Sequence, residues 1–183
     1  LLERLETVLG SAGCAWQVFD AVVADPPEAV VLGAAERARA FGSTGIIGYG
    51  GGSAMDVAKL VALLAAPGAE PLAQAYGVNQ IKGRRLPLAL VPTTAGTGSE
   101  VTPVAIVTVG DEEKKGVVSP VLIPDLAVLD AELTLQLPPH VTAATGIDAM
   151  VHAIEAYTSA SANNNPVSRV LAREALQLLG SSL

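Results

Sequence analysis

An acidic residue and a histidine stand four positions apart near the C-terminus, at Asp148 and His152. They lie in a segment whose apolar residues recur at helical spacing, so both side chains are expected on one face of a helix. A carboxylate and an imidazole at this spacing can hold two neighbouring positions of a divalent metal, and this donor pair suits iron, zinc or manganese. The alternative is an ordinary ion pair between residues i and i+4.

A cluster of glycines joins an apolar run to a segment with helical periodicity. Residues 46–49 predict a strand, and Gly50, Gly51, Gly52 and Ser53, here called the glycine loop, open the following helix. The first N–H groups of a helix lack partners and its dipole favours an anion, so a phosphate is the expected ligand. The spacing is not G-x-G-x-x-G, because Ser53 stands where the last glycine would be. The alternative is a structural turn with Ser53 as N-cap.

A second polar loop follows the apolar residues 86–91, which predict a strand buried on both faces. This threonine loop, residues 93–100, carries Thr93, Thr94 and Thr97, whose hydroxyls suit a phosphate, a ribose or a nicotinamide amide. Parallel strands in open α/β sheets bind ligands at their carboxyl ends, so both loops are expected at one edge. The alternative is a polar capping loop.

The other elements alternate between helices and strands before Pro138 and are helical after it. Further strands are predicted at residues 16–19, 104–109, 116–118 and 125–130. Helices are predicted at residues 1–9, from the turn at 25–28 to about 41, from the glycine loop to about 66, from 141 onward, and at 167–179. Lys114 follows the turn at 110–113 and is placed to reach a phosphate or a ring, the alternative being a solvated loop cation. The prediction is an α/β, Rossmann-like parallel-sheet domain over residues 1–137 and the start of an all-helical domain over residues 138–183.

The composition excludes several classes of partner. The formal net charge of −7 argues against nucleic acid and against an anionic membrane surface, which leaves a small molecule. Hydrophobic residues make up 50% and aromatic residues 3%, which favours a core of small aliphatic side chains. The single cysteine, Cys14, excludes an internal disulfide and fits a reducing cytoplasm. The chain starts without methionine, and we expect it to be a piece of a longer protein.

Three runs of sequence, residues 50–59, 92–101 and 143–157, together resemble the signature blocks of the iron-containing (group III) alcohol dehydrogenase family. They occur in the family's order and spacing, and the similarity covers essentially the whole chain. The resemblance implies a Rossmann-like domain that binds NAD or NADP and a dehydroquinate synthase-like helical domain that holds the metal, with the active site between them. It also implies hydride transfer between nicotinamide and a small alcohol, aldehyde or ketone, and a homo-oligomer such as a dimer.

The resemblance assigns roles to individual residues. It implies cofactor contacts from Gly51, Gly52, Ser53, Asp56, Thr93, Thr94, Thr97 and Lys114. Asp148 and His152 are implied to be catalytic as metal ligands, with Fe2+ the expected metal and Zn2+ the alternative.

The chain also departs from the family pattern. The family uses four metal ligands, two of them downstream histidines, and this sequence ends at Leu183 before either; the first strand, with its acidic residue near the adenosine ribose, is also missing. We therefore expect weak or no metal binding and no dehydrogenase activity from this chain alone. Two other readings stay open: a maleylacetate reductase or dehydroquinate synthase-like enzyme of the same fold, and a non-catalytic nucleotide-binding module.

Overall fold

The computed structural model describes residues 2–110 and 112–183. The α-helices are α1 (Leu2–Ser11), α2 (Glu28–Phe41), α3 (Gly52–Leu64), α4 (Pro139–Thr158) and α5 (Pro166–Ser182). The strands are β1 (Ile46–Gly50), β2 (Gly77–Val78), β3 (Leu88–Pro92), β4 (Val104–Val109), β5 (Glu113–Val118) and β6 (Leu126–Ala127). Short 3-10 helices occur at Leu72–Gln74, Ser99–Val101, Pro120–Leu122 and Ala131–Thr134. None of the helices among the described residues is long and apolar enough to cross a membrane.

A parallel sheet brings the glycine loop and the threonine loop to one edge. Its strand order is β1-β3-β6, and both neighbouring pairs are parallel. The register between β1 and β3 runs from Ile46 opposite Leu88 to Gly50 opposite Pro92. Both strands therefore end at the same level, and the two loops leave the sheet side by side, as the sequence predicted.

A second sheet, with strand order β2-β5-β4, covers the other side of the domain. Strands β4 and β5 are antiparallel, and the two residues of β2 add to β5 in parallel. Helix α3 lies between the two sheets. Met55 and Ala58 of α3 share a buried cluster with Leu90 of β3, whereas Leu60 shares another with Val107 of β4. This burial on opposite faces fixes the N-terminus of α3 relative to both sheets.

Close contact between α3 and β1 depends on a glycine in the strand. A Cβ on Gly48 would lie 2.6 Å from Leu90 Cδ2 and 2.7 Å from Ala58 Cβ. Any larger residue at this position would push the helix off the sheet. The absence of a side chain at Gly48 thus sets the height of the glycine loop above the strand ends.

Several predicted strands differ from the structure. The predicted strand at residues 16–19 is wrong, because residues 14–23 have no regular secondary structure and Trp16 packs on Gly10 of α1. An extended segment becomes a strand only where a neighbour completes its backbone hydrogen bonds. The last strand is shorter than predicted, at Leu126–Ala127, and β5 begins earlier, at Glu113.

Helices α4 and α5 form the C-terminal region and pack on each other. Asn165 caps α5 in a capping box with Ser168, which explains why the helix restarts directly after the break at residues 163–165. A Cβ on Gly146 would lie 3.0 Å from Leu183 Cγ, so the two helices approach closely at this glycine. Both helices also carry exposed apolar side chains, namely Ile147, Val151, Ile154, Val167, Val170, Leu171 and Leu178. The predicted domain boundary at residues 137 and 138 stays a prediction.

Candidate functional site

The glycine loop forms a sharp turn into α3. Gly50 has a φ of 151°, and a Cβ there would lie 2.7 Å from Ala54 Cβ. The N-cap of α3 is Gly51, and no side chain caps the helix. Ser53 is therefore not the N-cap, because the helix begins two residues earlier than that alternative requires. The first turn of α3 presents its N–H groups without a side-chain cap, which is the arrangement that binds an anion.

The threonine loop lies directly against the glycine loop. A Cβ on Gly51 would lie 3.3 Å from Thr94 Cγ2, and a Cβ on Gly52 would lie 2.9 Å from Thr97 Cγ2. The backbone N–H of Thr93 donates to the carbonyl of Gly50 at 2.9 Å, which joins the two loops at their base. The structure therefore brings together the residues on which the sequence analysis placed phosphate binding.

The hydroxyl of Thr94 is a buried polar atom without a hydrogen-bond partner among the described residues. Leaving such a group unsatisfied costs roughly 1–3 kcal/mol. Since this oxygen lies 3.4 Å from the position of a Cβ on Gly51, it borders the uncapped turn. A phosphate or ribose oxygen seated there would satisfy it, so the residues present fit a nucleotide.

Asp56 lies one turn further into α3 and holds the end of the threonine loop. Its Oδ1 accepts from the hydroxyl of Ser99 at 2.6 Å, and its Oδ2 accepts from the backbone N–H of Ile106 at 3.0 Å. Both carboxylate oxygens are thus bonded to protein groups. Any effect of Asp56 on a cofactor would therefore be indirect, through the position of the threonine loop.

Sequence reasoning assigned no role to Lys59, although its side chain is completely buried beside Asp56. Its Nζ donates to the Ser99 hydroxyl at 2.8 Å and to the Val104 carbonyl at 2.7 Å. Burial lowers the pKa of Lys59, and the Asp56 carboxylate, 3.6 Å away, opposes that shift. The feature of the sequence that could have indicated this burial is a lysine that lies among the apolar residues of a predicted helix.

Lys114 lies on β5 rather than in the preceding turn. Its Nζ is 2.5 Å from Asp25 Oδ1, and both side chains are more than half exposed. Asp25 has a φ of 49° and its carbonyl accepts from the Thr108 hydroxyl, so the turn before α2 is fastened to the β4–β5 pair. A role for Lys114 over a cofactor stays a prediction.

Asp148 and His152 lie on α4 with Oδ1 and Nε2 3.6 Å apart, and each side chain is about half exposed. The carboxylate and imidazole are suitable donors for a divalent metal. Within residues 2–110 and 112–183, however, no cluster of three or more histidine, cysteine or acidic residues is placed to hold a metal ion. The structure thus supplies two donors of the right chemistry.

Helix α4 meets the threonine loop at Thr145. A Cβ on Gly96 would lie 2.8 Å from the carbonyl carbon of Thr145, so the loop touches the helix backbone. Residues i, i+3 and i+7 share one face of a helix, which places Asp148 and His152 on the same side of α4 as Thr145. The face of α4 that carries Asp148 and His152 is therefore directed toward the loop that borders the glycine turn.

A parallel sheet with an uncapped, glycine-lined helix N-terminus and an adjoining helical region is an arrangement typical of nucleotide-binding α/β proteins. The family model described as "Iron-containing alcohol dehydrogenase" matches residues 1–131, and the model of the C-terminal region of the same family matches residues 142–183. The chain belongs to the iron-containing alcohol dehydrogenase family. The predicted family and fold class are thereby confirmed.

Relatives of this chain are alcohol and aldehyde oxidoreductases. The chain is 38% identical over 180 residues to the sulfoacetaldehyde reductase of Bilophila wadsworthia, covering 98% of the chain and 46% of the relative. It is 40% identical over 189 residues to long-chain-alcohol dehydrogenase 1 of Geobacillus thermodenitrificans, covering 100% of the chain and 46% of the relative. The crystal structure of sulfoacetaldehyde reductase from Bifidobacterium kashiwanohense in complex with NAD+ superimposes with a TM-score of 0.86 at 34% identity, covering 97% of the chain and 47% of that structure. The chain thus spans about half the length of these proteins.

Proposed function

We propose that this chain is the nucleotide-binding and metal-holding part of an NAD(P)-dependent alcohol or aldehyde oxidoreductase. The observation that carries the proposal is the contact of Gly51 and Gly52 with Thr94 and Thr97 beside an uncapped helix N-terminus. Family membership and a structural neighbour in complex with NAD+ support NAD as the cofactor. NADP remains the alternative nucleotide.

The cofactor residues act by close approach and hydrogen bonding. The N-terminus of α3 would hold the pyrophosphate, where Gly51 and Gly52 leave room for its oxygens and Ser53 would contribute a hydroxyl. Thr93, Thr94 and Thr97 bond phosphate, ribose or nicotinamide amide groups from the opposite side. Lys114 contributes a positive charge near the cofactor, and Asp56 keeps the threonine loop in place.

Asp148 and His152 are the residues that would hold a divalent metal, with Fe2+ favoured by the family and Zn2+ as the alternative. Such a metal supplies Lewis-acid polarisation of the C–O bond of the substrate. Helix α4 holds the carboxylate and the imidazole in fixed relation, and its contact at Gly96 orients them toward the threonine loop. The protein thereby orients the carbon of a small alcohol, aldehyde or ketone for hydride exchange with nicotinamide.

The 183-residue chain by itself offers two metal donors among its described residues, and two donors do not make a tight site. We therefore propose that it binds iron or zinc weakly and does not oxidise alcohols alone. The exposed apolar residues of α4 and α5 favour association into a homo-oligomer, a dimer being the simplest. A single cysteine, Cys14, fits a reducing compartment, so the cytoplasm is the proposed location.

A fluorescence titration with NADH tests the cofactor site. The unmodified chain is expected to bind NADH saturably. Gly51→Val places a branched side chain against Thr94 and is expected to weaken binding at least about tenfold, which corresponds to 1.4 kcal/mol. Gly33→Val on α2 is the matched control, because nothing lies within 4 Å of a Cβ at Gly33. The absence of saturable binding, or equal losses in both variants, would overturn the proposal.

A further inference from the structure

Lys59 is the only charged side chain in the buried interior of the described residues, with 0% of its surface exposed. A buried ammonium group is costly unless hydrogen bonds compensate it. Its Nζ donates to the Ser99 hydroxyl at 2.8 Å, the Thr102 hydroxyl at 3.3 Å and the Val104 carbonyl at 2.7 Å. The structure thus gives this lysine a partner for each of its three N–H donors.

All three partners lie in the segment that leads from the threonine loop into β4. Ser99 begins the 3-10 helix Ser99–Val101, and Thr102 and Val104 follow it. On the other side, Lys59 lies on α3, whose N-terminus is the glycine loop. One ammonium group therefore joins the helix that carries one loop to the chain segment that carries the other.

The Ser99 hydroxyl is the centre of this arrangement. It accepts from Lys59 and donates to Asp56 Oδ1 at 2.6 Å, so it is bonded to both charged residues of α3. Ser99 is itself 6% exposed, and its backbone N–H donates to the Thr97 hydroxyl at 3.3 Å. Thr97 is the residue that lies against Gly52. A displacement of Ser99 would therefore move Thr97 relative to Gly52 and change the contact between the two loops.

We infer that Lys59, acting with Asp56 through Ser99, is a positioning residue that sets the spacing between the glycine loop and the threonine loop, and so the affinity for the nicotinamide dinucleotide. This inference rests on the proposed function. Lys59 does not touch the cofactor, because its side chain is fully enclosed by protein. It acts at a distance by fixing where Thr97 lies relative to Gly52.

The test compares two substitutions with matched controls in the 183-residue chain. Ser99→Ala removes the shared hydroxyl with little change in volume, and Lys59→Met removes the charge. Ser119→Ala is the control for the first, because Ser119 is also buried, at 3% exposed, and caps the separate 3-10 helix Pro120–Leu122. Leu60→Ala is the control for the second, since Leu60 is fully buried on the same helix without joining the hydrogen bonds.

Two measurements are made on each variant: the Kd for NADH by fluorescence, and hydrogen exchange of the amides of residues 96–104 without cofactor. Ser99→Ala and Lys59→Met are expected to raise the Kd about tenfold, as for a lost buried hydrogen bond, and to speed exchange in residues 96–104. Ser119→Ala and Leu60→Ala are expected to lower the melting temperature while leaving the Kd within about twofold. If Lys59→Met is too unstable to purify, Ser99→Ala decides the question.

Equal Kd values for Ser99→Ala and Ser119→Ala, together with unchanged exchange at residues 96–104, would overturn the inference and leave the proposed function intact. An unmodified chain that does not bind NADH would instead overturn the proposed function. In that case hydrogen exchange alone tests whether Lys59 and Ser99 hold the threonine loop in place. Exchange of residues 96–104 in Ser99→Ala and Lys59→Met that is as slow as in the unmodified chain would refute that role.

Discussion

Gly96 of the threonine loop packs directly against the backbone of Thr145 on α4, where a Cβ would lie 2.8 Å from the carbonyl carbon. This contact joins the proposed nucleotide site to the helix that carries Asp148 and His152. Thr145 precedes Asp148 by almost one helical turn, so a displacement at Gly96 would move Asp148 and His152 relative to the threonine loop. Under the proposed function, the geometry of hydride transfer would therefore depend on a glycine outside both proposed binding sites.

We predict that Gly96→Ala destabilises the chain by about 1–3 kcal/mol, because the added methyl group overlaps backbone atoms that cannot rotate away. The free energy of unfolding in urea measures this. Gly83→Ala is the control, since nothing lies within 4 Å of a Cβ at Gly83, and its effect should stay within about 0.5 kcal/mol. Equal stabilities for the two variants would show that the loop and α4 are not in contact.

We predict that Thr94→Val leaves the stability of the cofactor-free chain unchanged or slightly higher. The Thr94 hydroxyl is buried and has no hydrogen-bond partner within residues 2–110 and 112–183, so replacing it with a methyl group removes an unsatisfied polar atom. NADH binding should weaken about five- to tenfold in the same variant, since a hydrogen bond to the ligand is lost. Thermal unfolding and fluorescence titration measure the two effects. A loss of stability with unchanged NADH affinity would contradict the assignment.

Stability should depend on Asp125 in acid. The side-chain hydrogen bond from Arg85 and the backbone N–H of Leu88 lower the pKa of Asp125 from 3.8 to about 2. Because the folded-state pKa lies below the unfolded value, the stabilisation is present above pH 3.8 and is lost as the pH falls toward 2. Solvent screening of this exposed carboxylate keeps its size below about 1 kcal/mol.

The comparison of the unmodified chain with Asp125→Asn measures this dependence. The difference in unfolding free energy should be constant above about pH 5 and shrink below pH 4 as the unmodified carboxyl group becomes protonated. A difference that stays the same down to pH 2 would mean that the Arg85–Asp125 pair contributes nothing to the pH dependence.

Asp148→Ala or His152→Ala should lower the metal bound by the protein, and any turnover that depends on it, while leaving the Kd for NADH unchanged. The reason is that these side chains lie on α4 and make none of the contacts between the glycine loop and the threonine loop that the proposed nucleotide site depends on. His140→Ala is the control, because His140 lies on the same helix but more than two turns before Asp148. Elemental analysis and NADH titration measure the outcome, and full metal content in the first two variants would refute the ligand assignment.

Long periodic segments and glycine-rich turns were predictable from the sequence. The helical spacing after the glycine loop and from residue 141 onward placed α3 and α4, and the predicted helix at 167–179 lies within α5. Residues 16–19 do not form the predicted strand, because a strand requires a neighbouring strand to pair with its backbone and is not determined by local composition alone.

The role of Lys59 was not predictable for a related reason. A lysine on a helix is normally solvated, and Lys59 is buried because Thr102 and Val104, more than 40 residues later, cover its side. The alternative of Ser53 as the N-cap of α3 is also wrong. The helix starts at Gly52 and its N-cap is Gly51. Positions determined by long-range contacts were thus the ones that the sequence pattern could not determine.

The most direct test of a dinucleotide site between the two loops is an NMR titration of the isotope-labelled chain with NADH. We predict that the amide signals of Gly51, Gly52, Thr94 and Thr97 shift together and saturate at a single Kd. Unchanged signals at these four residues, or saturating shifts confined to another part of the surface, would contradict it.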